Sequence, residues 1–238
     1  MTIRAVIFDL DGTLVEFKLD YRTERAELIR LLTDRGIPTS ILSTSEGIFG
    51  TLKRVKTYMR NTGKKAKEID RVRETVLSLA DGYELQAARE TDLVPGALEA
   101  LNTLRDMKLK MSLFTIDGER ATSFVLRRFQ IGHFFDAVIT RDVVAAVKPD
   151  PAHLKAALEA LNVRPGEAIV VGDSTLDMRC ARALSVLAVG VVTGISTPER
   201  LMHAGASYLA SSSAEIPLLV QQLDKQVETF ADSDIDYR

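Results

Sequence analysis

The N-terminal stretch Ile3–Val15 constrains the fold more than any other part of the chain. Ala5–Phe8 is a short apolar run with β-branched residues, which predicts a strand that is buried on both faces. Two carboxylates, Asp9 and Asp11, directly follow this run, and the carboxyl ends of strands are where open α/β sheets bind ligands. Alternate residues of an extended backbone point the same way, so we expect both carboxylates to face one site.

The spacing of these carboxylates predicts a metal site. Two like charges held close together raise each other's pKa unless a cation joins them, and hard divalent cations prefer oxygen ligands. Gly12, which comes next, allows the chain to turn in a conformation that other residues resist. Taken alone, Asp-x-Asp-Gly also fits an ordinary acidic turn, and three later segments favour the functional interpretation.

Two of these segments supply a hydroxyl group and a lysine. The predicted strand 110–115 ends in Thr115, and both this hydroxyl and the Ile116 amide offer donors for an anionic oxygen. Lys148 precedes Pro149-Asp-Pro151, where two prolines fix the backbone, so we expect this lysine on a rigid loop.

The last segment supplies a second pair of acids. The apolar run 168–171 predicts another buried strand, which Gly172 turns so that Asp173 lies at its carboxyl end. Ser174 follows, and Asp177 lies about one helical turn further along, where it can face the same site.

These four segments, in this order, resemble motifs I to IV of the haloacid dehalogenase-like (HAD) hydrolase superfamily, and more specifically its phosphoglycolate phosphatase-like group with a helical cap. The sequence departs from the family pattern in three places. Lys108 stands where a glycine usually ends the helix before motif II, and Ile116 stands where related phosphatases commonly have asparagine. Leu184-Ser185 replaces the common Ala-Gly after motif IV.

The resemblance implies a role for each motif residue. Asp9 corresponds to the nucleophile and Asp11 to the general acid and base. Mg²⁺ is expected on Asp9, the main-chain carbonyl of Asp11 and Asp173. The residues expected to bind the substrate phosphate are Leu10, Asp11, Thr115, Ile116 and Lys148, of which Thr115 and Lys148 count with Asp9 and Asp11 as catalytic. The supporting residues are Gly12, Thr13, Gly172, Ser174 and Asp177.

The implied function is that of a Mg²⁺-dependent phosphatase, which hydrolyses a small phosphate monoester through an aspartyl-phosphate intermediate. A phosphoglycolate-like compound or a sugar phosphate is the expected substrate. The presence of Asp11 favours ester hydrolysis, because the dehalogenase branch lacks a carboxylate there and the phosphonate-cleaving branch has alanine. Two alternatives remain open: a phosphomutase of the β-phosphoglucomutase type, and a non-catalytic binding protein on the same scaffold.

The remaining sequence predicts an α/β fold with an inserted helical domain. Residues 16–91 show helical periodicity without β-alternation, which predicts an all-helical cap. Residues 1–15 and 92–228 would form a Rossmann-like, doubly wound parallel sheet, and residues 229–238 a frayed tail. The strands are predicted near residues 3–8, 110–115, 137–140, 168–171, 186–192 and 208–210.

Charge and composition limit the partners. Lys and Arg total 31 against 33 acids, so no global field attracts nucleic acid or membrane. The single cysteine, Cys180, excludes an intramolecular disulfide, and neither a signal peptide nor an apolar span is recognised, so we expect a cytoplasmic protein. The family resemblance implies a small phosphorylated metabolite as its partner, and the expected oligomeric state is a monomer or homodimer. His133, His153 and His203 lie outside every motif and are interpreted as structural or exposed.

One basic run in the predicted cap allows two interpretations. It carries seven cationic side chains and no acid between residues 47 and 67. A solvated helix face is the favoured interpretation, and contact with an anionic group of the substrate is the alternative. The seven residues are Lys53, Arg54, Lys56, Arg60, Lys64, Lys65 and Lys67.

Overall fold

The computed structural model describes residues 2–233, which form one six-stranded parallel sheet and nine α-helices. The strand order β3-β2-β1-β4-β5-β6 is that of a doubly wound sheet and confirms the predicted fold class. The strands are β1 (Ala5–Phe8), β2 (Lys110–Phe114), β3 (Ala137–Ile139), β4 (Ala168–Gly172), β5 (Leu187–Val191) and β6 (Tyr208–Ala210).

The central position of β1 brings the ends of three strands together. Ala5 pairs with Lys110 of β2 on one side and with Ala168 of β4 on the other, in parallel register. All residues of β1 and β4 are buried, as expected for strands with helices on both faces. The residues that follow β1, β2 and β4 therefore lie next to one another at a single edge of the sheet.

Helices cover this sheet and share its apolar core. One face packs against three consecutive helices through a single cluster of buried side chains that includes Ile7, Phe114 and Val170 of the sheet and Leu158 and Met178 of the helices. The helices outside residues 18–90 are α4 (Ala97–Asp106), α5 (Glu119–Arg128), α6 (Pro151–Leu161), α7 (Thr175–Ala183), α8 (Pro198–Ala204) and α9 (Ile216–Ser233).

Lys18–Glu90 forms a second compact unit, distinct from the unit that holds the sheet. It contains the helices α1 (Tyr21–Thr33), α2 (Ile48–Asn61) and α3 (Ala66–Glu90), and no strand occurs between residues 18 and 90. This confirms the all-helical insert of the predicted fold class. Its apolar core consists of Leu28, Leu32, Ile37, Ile48, Val55, Met59, Ile69, Val72, Val76 and Ala80.

The two ends of this helical insert are joined within the sheet-containing unit. Val15 and Leu93 form an antiparallel bridge. The Glu16 amide donates to the Asp92 carbonyl at 2.8 Å, and the Thr91 hydroxyl donates to the Glu16 carbonyl at 2.7 Å. The chain therefore leaves and re-enters the core at adjacent, hydrogen-bonded positions.

The basic run lies on exposed positions of α2, the turn after it and the start of α3. All seven cationic residues are exposed, which agrees with a solvated helix face. Arg54 pairs with Glu46 at 2.9 Å, and Lys64 pairs with Glu68 at 3.4 Å. Exposed pairs of this kind contribute little to stability.

The C-terminal helix differs from its predicted extent. The sequence predicts that the core ends at residue 228, whereas α9 runs over Ile216–Ser233, after a 3-10 turn at residues 213–215. Residues 234–238 of the predicted tail lie outside the described residues. Within residues 2–233, no helix combines the length and the apolar character that crossing a bilayer requires.

Two of the departures from the family pattern occupy left-handed backbone positions. Lys108 has φ 60° and Ser185 has φ 55°. Both follow the end of a helix, where glycine commonly adopts this conformation without steric penalty. The backbone therefore keeps the turn that a glycine would make, although a side chain with a Cβ stands there.

Lys108→Gly should stabilise the protein by about 0.5–1 kcal/mol. The left-handed conformation costs a residue with a Cβ about 1–2 kcal/mol, and glycine removes part of this cost. The free energy of unfolding from urea titration measures the effect. Lys155→Gly is the matched control, since Lys155 is an exposed lysine within the right-handed helix α6. That substitution should destabilise by about 0.5–1 kcal/mol, and an equal loss at Lys108 would contradict the prediction.

Candidate active site

A buried lysine joins two carboxylates at the carboxyl edge of the sheet. Lys148 Nζ lies 2.7 Å from Asp9 Oδ1 and 2.6 Å from Asp177 Oδ1. The side chains of Lys148 and Asp177 are 2% and 0% exposed, so both contacts are shielded from water. The same ammonium group lies 3.7 Å from the centroid of the Phe114 ring, which adds a cation–π contact.

Burial and charge pull the pKa values of this cluster in opposite directions. Burial lowers the pKa of Lys148, but attraction to Asp177 and Asp9 outweighs it, so the pKa lies above its ordinary value and the lysine stays charged. Burial raises the pKa of Asp9 to about 8; Lys148 opposes this rise, and repulsion from Asp177 and Asp173 adds to it. A further positive charge beside Asp9 would favour its ionised form.

Asp177 is held in place by the start of α7. Its Oδ2 accepts hydrogen bonds from the Ser174 amide at 3.0 Å and the Ser174 hydroxyl at 2.7 Å, while Ser174 Oγ accepts from the Leu176 amide. This is a capping box, in which the first residue and the third helical residue satisfy each other's free groups. Gly172 makes room for it, because a Cβ there would overlap the Asp177 carboxylate.

The acids of this site form a group that fits a cation. Asp9, Asp173 and Asp177 each offer one oxygen, and these oxygens lie within 4.8 Å of one another. Burial, followed by repulsion from Asp177, raises the pKa of Asp173 to about 6. Buried carboxylates that repel each other gain from a divalent cation, and a donor set of oxygens alone suits a hard ion. Among the predicted ligands, Asp9 and Asp173 belong to this group.

Asp11 has a partner that sequence reasoning missed. Asp117, three residues past the end of β2, is 9% exposed, and its side chain hydrogen-bonds to that of Asp11. Burial and the charge of Asp11 raise the pKa of Asp117 well above its usual value, so the pair can share a proton. The main-chain amide of the buried Arg141 donates to the Asp117 carbonyl at 3.3 Å, and the guanidinium charge partly opposes the pKa shift. The sequence feature that could have indicated this partner is an acidic residue, Asp117, soon after the motif hydroxyl of Thr115.

The hydroxyl of Thr115 is buried and oriented by its own turn. Thr115 Oγ1 accepts a hydrogen bond from the Asp117 amide at 3.1 Å, so its proton remains available for donation to another group. The side chain is 1% exposed, whereas the adjacent Ile116 is half-buried. Leu10, which lies between Asp9 and Asp11 in the sequence, is also buried.

The turn after β1 has the backbone conformation that its glycine suggests. Gly12 has φ 73°, and a Cβ there would lie 2.6 Å from Asp173 Oδ2. Its amide donates to the Val15 carbonyl at 2.7 Å, and Thr13 is completely buried beside it. The motif residues that sequence analysis selected thus lie at or just after the ends of β1, β2 and β4, or on the loop after β3.

One family model matches the part of the chain that carries these residues. The family model for the haloacid dehalogenase-like hydrolases, described as a hydrolase family, matches residues 3–184. This range includes every candidate residue described above.

Relatives and solved structures cover most of the chain. A phosphoglycolate phosphatase of Pseudomonas putida is 32% identical over 193 residues, which are 80% of this chain and 70% of the relative. A phosphoglycolate phosphatase of Nitrosospira multiformis is 28% identical and covers 93% of this chain and 97% of its own length. The crystal structure of a hydrolase from Pseudomonas syringae is similar with a TM-score of 0.66 and 26% identity, over 93% of this chain and 98% of that one.

The histidine beside the Lys148 loop is structural. His153 is completely buried; its Nδ1 accepts from the Lys148 amide at 3.3 Å, and its Nε2 lies 3.1 Å from the Ile139 carbonyl. A neutral ring with its proton on Nε2 satisfies both contacts, and protonation would break one of them. Burial, assisted by the charge of Lys148, lowers the pKa of His153 to about 4.

This depressed pKa predicts a pH-dependent stability. The unfolded histidine takes up a proton near pH 6.5, whereas the folded one does so only near pH 4, so stability is fully present above pH 6.5 and falls as the pH drops toward 4. The loss amounts to about 3 kcal/mol at most. His153→Asn should remove this part of the pH dependence in urea titrations at pH 7, 6 and 5. His203→Asn, at an exposed histidine, should retain it; equal slopes for both variants would contradict the prediction.

Proposed function

The chain is an enzyme of the haloacid dehalogenase-like hydrolase family, and we propose that it is a Mg²⁺-dependent phosphatase acting on a small phosphate monoester. The observation that carries the proposal is the buried contact of Lys148 with Asp9. It places a carboxylate and a permanent positive charge side by side at the end of β1, where a phosphoryl group would need both.

In the first step, Asp9 would act as the nucleophile. Its Oδ1 is engaged by Lys148, so we assign the attack on phosphorus to Oδ2. A new bond forms between this oxygen and phosphorus, and the bond between phosphorus and the ester oxygen breaks. The proton that Asp11 shares with Asp117 passes from the Asp11 side chain to the leaving oxygen, which departs as an alcohol.

In the second step, water would release the phosphate. Asp11, now ionised, takes a proton from the water as its oxygen attacks phosphorus, and the bond to Asp9 breaks. Free phosphate leaves and both carboxyl groups return to their starting states. Asp117 would hold the Asp11 side chain through their hydrogen bond during both transfers.

The positive and donor groups around Asp9 would stabilise the transition state. Lys148, whose pKa is raised, offers a charge that does not titrate near neutral pH, and the Thr115 hydroxyl has a proton to donate. Both would bind equatorial oxygens of the phosphoryl group, together with the main-chain amides of Leu10 and Ile116. Asp177, held by Ser174, would keep Lys148 in its position.

The carboxylates that would hold Mg²⁺ are Asp9 and Asp173, with the main-chain carbonyl of Asp11 and with Asp177 close by. When bound, the ion supplies positive charge that offsets the repulsion between the carboxylates and a phosphate dianion. The raised pKa values of Asp9 and Asp173 support this proposal, since both groups lack full compensation from the chain's own cations.

The proposed substrate class follows from the relatives. Two relatives that cover most of this chain are named phosphoglycolate phosphatase, which favours a small phosphorylated metabolite of the phosphoglycolate or sugar phosphate kind.

Asp9→Asn should abolish phosphate release, because an amide oxygen is a poor nucleophile. We expect a loss of about 10³-fold or more in kcat on the preferred member of a panel of small phosphate esters. Wild-type turnover should disappear with a chelator and return with added Mg²⁺. Asp106→Asn, at an exposed acid of α4, is the control and should retain wild-type activity. Undiminished turnover by Asp9→Asn would exclude the proposed nucleophile.

The reaction products distinguish hydrolysis from phosphoryl transfer within a sugar. A phosphatase releases one inorganic phosphate for each ester consumed, which a colorimetric phosphate assay measures. We expect this stoichiometry with sugar phosphates as well. Recovery of an isomeric sugar phosphate without free phosphate, detected by phosphorus NMR, would assign the chain to the phosphomutases instead.

A further inference from the structure

The turn after β5, Thr193–Ile195, lies against the proposed cation site although no sequence motif identified it. β5 pairs with β4 in parallel register, with Gly190 opposite Gly172, so the ends of these strands are neighbours. Asp173 follows β4 directly, and the turn after β5 therefore reaches it from the next strand.

The first contact fixes one oxygen of Asp173. The Ile195 amide donates to Asp173 Oδ2 at 2.7 Å, although the Ile195 side chain itself is exposed. Asp173 is 2% exposed, so this hydrogen bond to a carboxylate lies away from water and is of the strong, charge-assisted kind. This hydrogen bond therefore fixes the orientation of the Asp173 carboxylate.

The second contact is a close approach of backbone. A Cβ built on Gly194 would overlap the Asp173 carboxylate, and a Cβ on Gly12 would lie 2.6 Å from Asp173 Oδ2 and 2.9 Å from the Gly194 Cα. The carboxylate is thus enclosed between two glycine backbones, one from the turn after β1 and one from the turn after β5. Neither position has space for a side chain.

The third contact joins these two turns directly. The Thr193 hydroxyl donates to the Gly12 carbonyl at 2.5 Å. Gly12 follows Asp9 and Asp11 in the chain, so this hydrogen bond connects the backbone of the first acid pair to the turn that holds Asp173.

We propose that Thr193-Gly194-Ile195 is a positioning element of the cation site, which sets the Asp173 carboxylate in a fixed relation to the Asp9–Gly12 turn. This inference rests on the proposed Mg²⁺ dependence. The cation needs ligands from two separate strand ends at the same time, and the turn supplies the contacts that hold those ends together. Groups that orient metal ligands typically change the affinity for the metal by about 10–100-fold when they are removed.

The test is direct Mg²⁺ binding to the full chain, measured by isothermal titration calorimetry without substrate. Thr193→Val removes the hydroxyl at nearly constant size, and Gly194→Ala adds the Cβ that the carboxylate excludes. We expect about tenfold weaker binding for each. Thr193→Ser keeps the hydroxyl and should retain the wild-type affinity for Mg²⁺. Gly82→Ala, where the added Cβ meets no atom within 4 Å apart from the backbone of its own helix, controls for the glycine substitution.

The outcomes separate this inference from the proposed function. The inference would be overturned if Thr193→Val and Gly194→Ala bind Mg²⁺ within twofold of wild type and their circular dichroism is unchanged. That result would not affect the proposed cation site. Absence of Mg²⁺ binding by the wild-type chain would instead overturn the proposed metal dependence. If Gly194→Ala fails to fold, the pair Thr193→Val and Thr193→Ser decides. A purely structural role would lower thermal stability in chelator and leave the affinity unchanged.

Discussion

The contact of Lys148 with Asp9 and Asp177 is the interaction on which the candidate site depends. Burying three charged groups is costly unless they neutralise one another, and here one ammonium group lies within 2.7 Å of a carboxylate on either side. This arrangement requires that the end of β1, the loop after β3 and the start of α7 lie close together. The parallel sheet with β1 at its centre meets that requirement, so the fold and the electrostatics of the site support each other.

Glycine contributes to this site by leaving space as well as by turning the chain. Gly12 has the positive φ that favours the residue, whereas Gly172 and Gly194 are needed because the acids Asp177 and Asp173 lie where their Cβ atoms would be. Close packing of carboxylates against bare backbone explains how so many acids fit at one sheet edge. It also explains why the carboxylates have little freedom to move apart.

Much of this arrangement could be predicted from the sequence, for a physical reason. Asp9 and Asp173 each follow an apolar run long enough for a buried strand, and parallel strands bring such ends together. Asp117 could not be predicted in this way, because its relation to Asp11 depends on the path of a turn. Thr193 was missed because its partner lies 181 residues away, across two strand neighbours. The left-handed backbone of Lys108 and Ser185 was hidden because the residue type there is not glycine.

The joined ends of the helical insert have a consequence for the architecture of the chain. Val15 and Leu93 are bridged, and the backbone of Glu16 bonds to that of Asp92, so the core closes on itself before the insert begins. The entropy of closing the long intervening loop is offset by these bonds, whatever sequence the loop contains. The core thus closes in the same way for inserts of different length and content, so the insert can be exchanged without rebuilding the edge of the sheet that carries the candidate site.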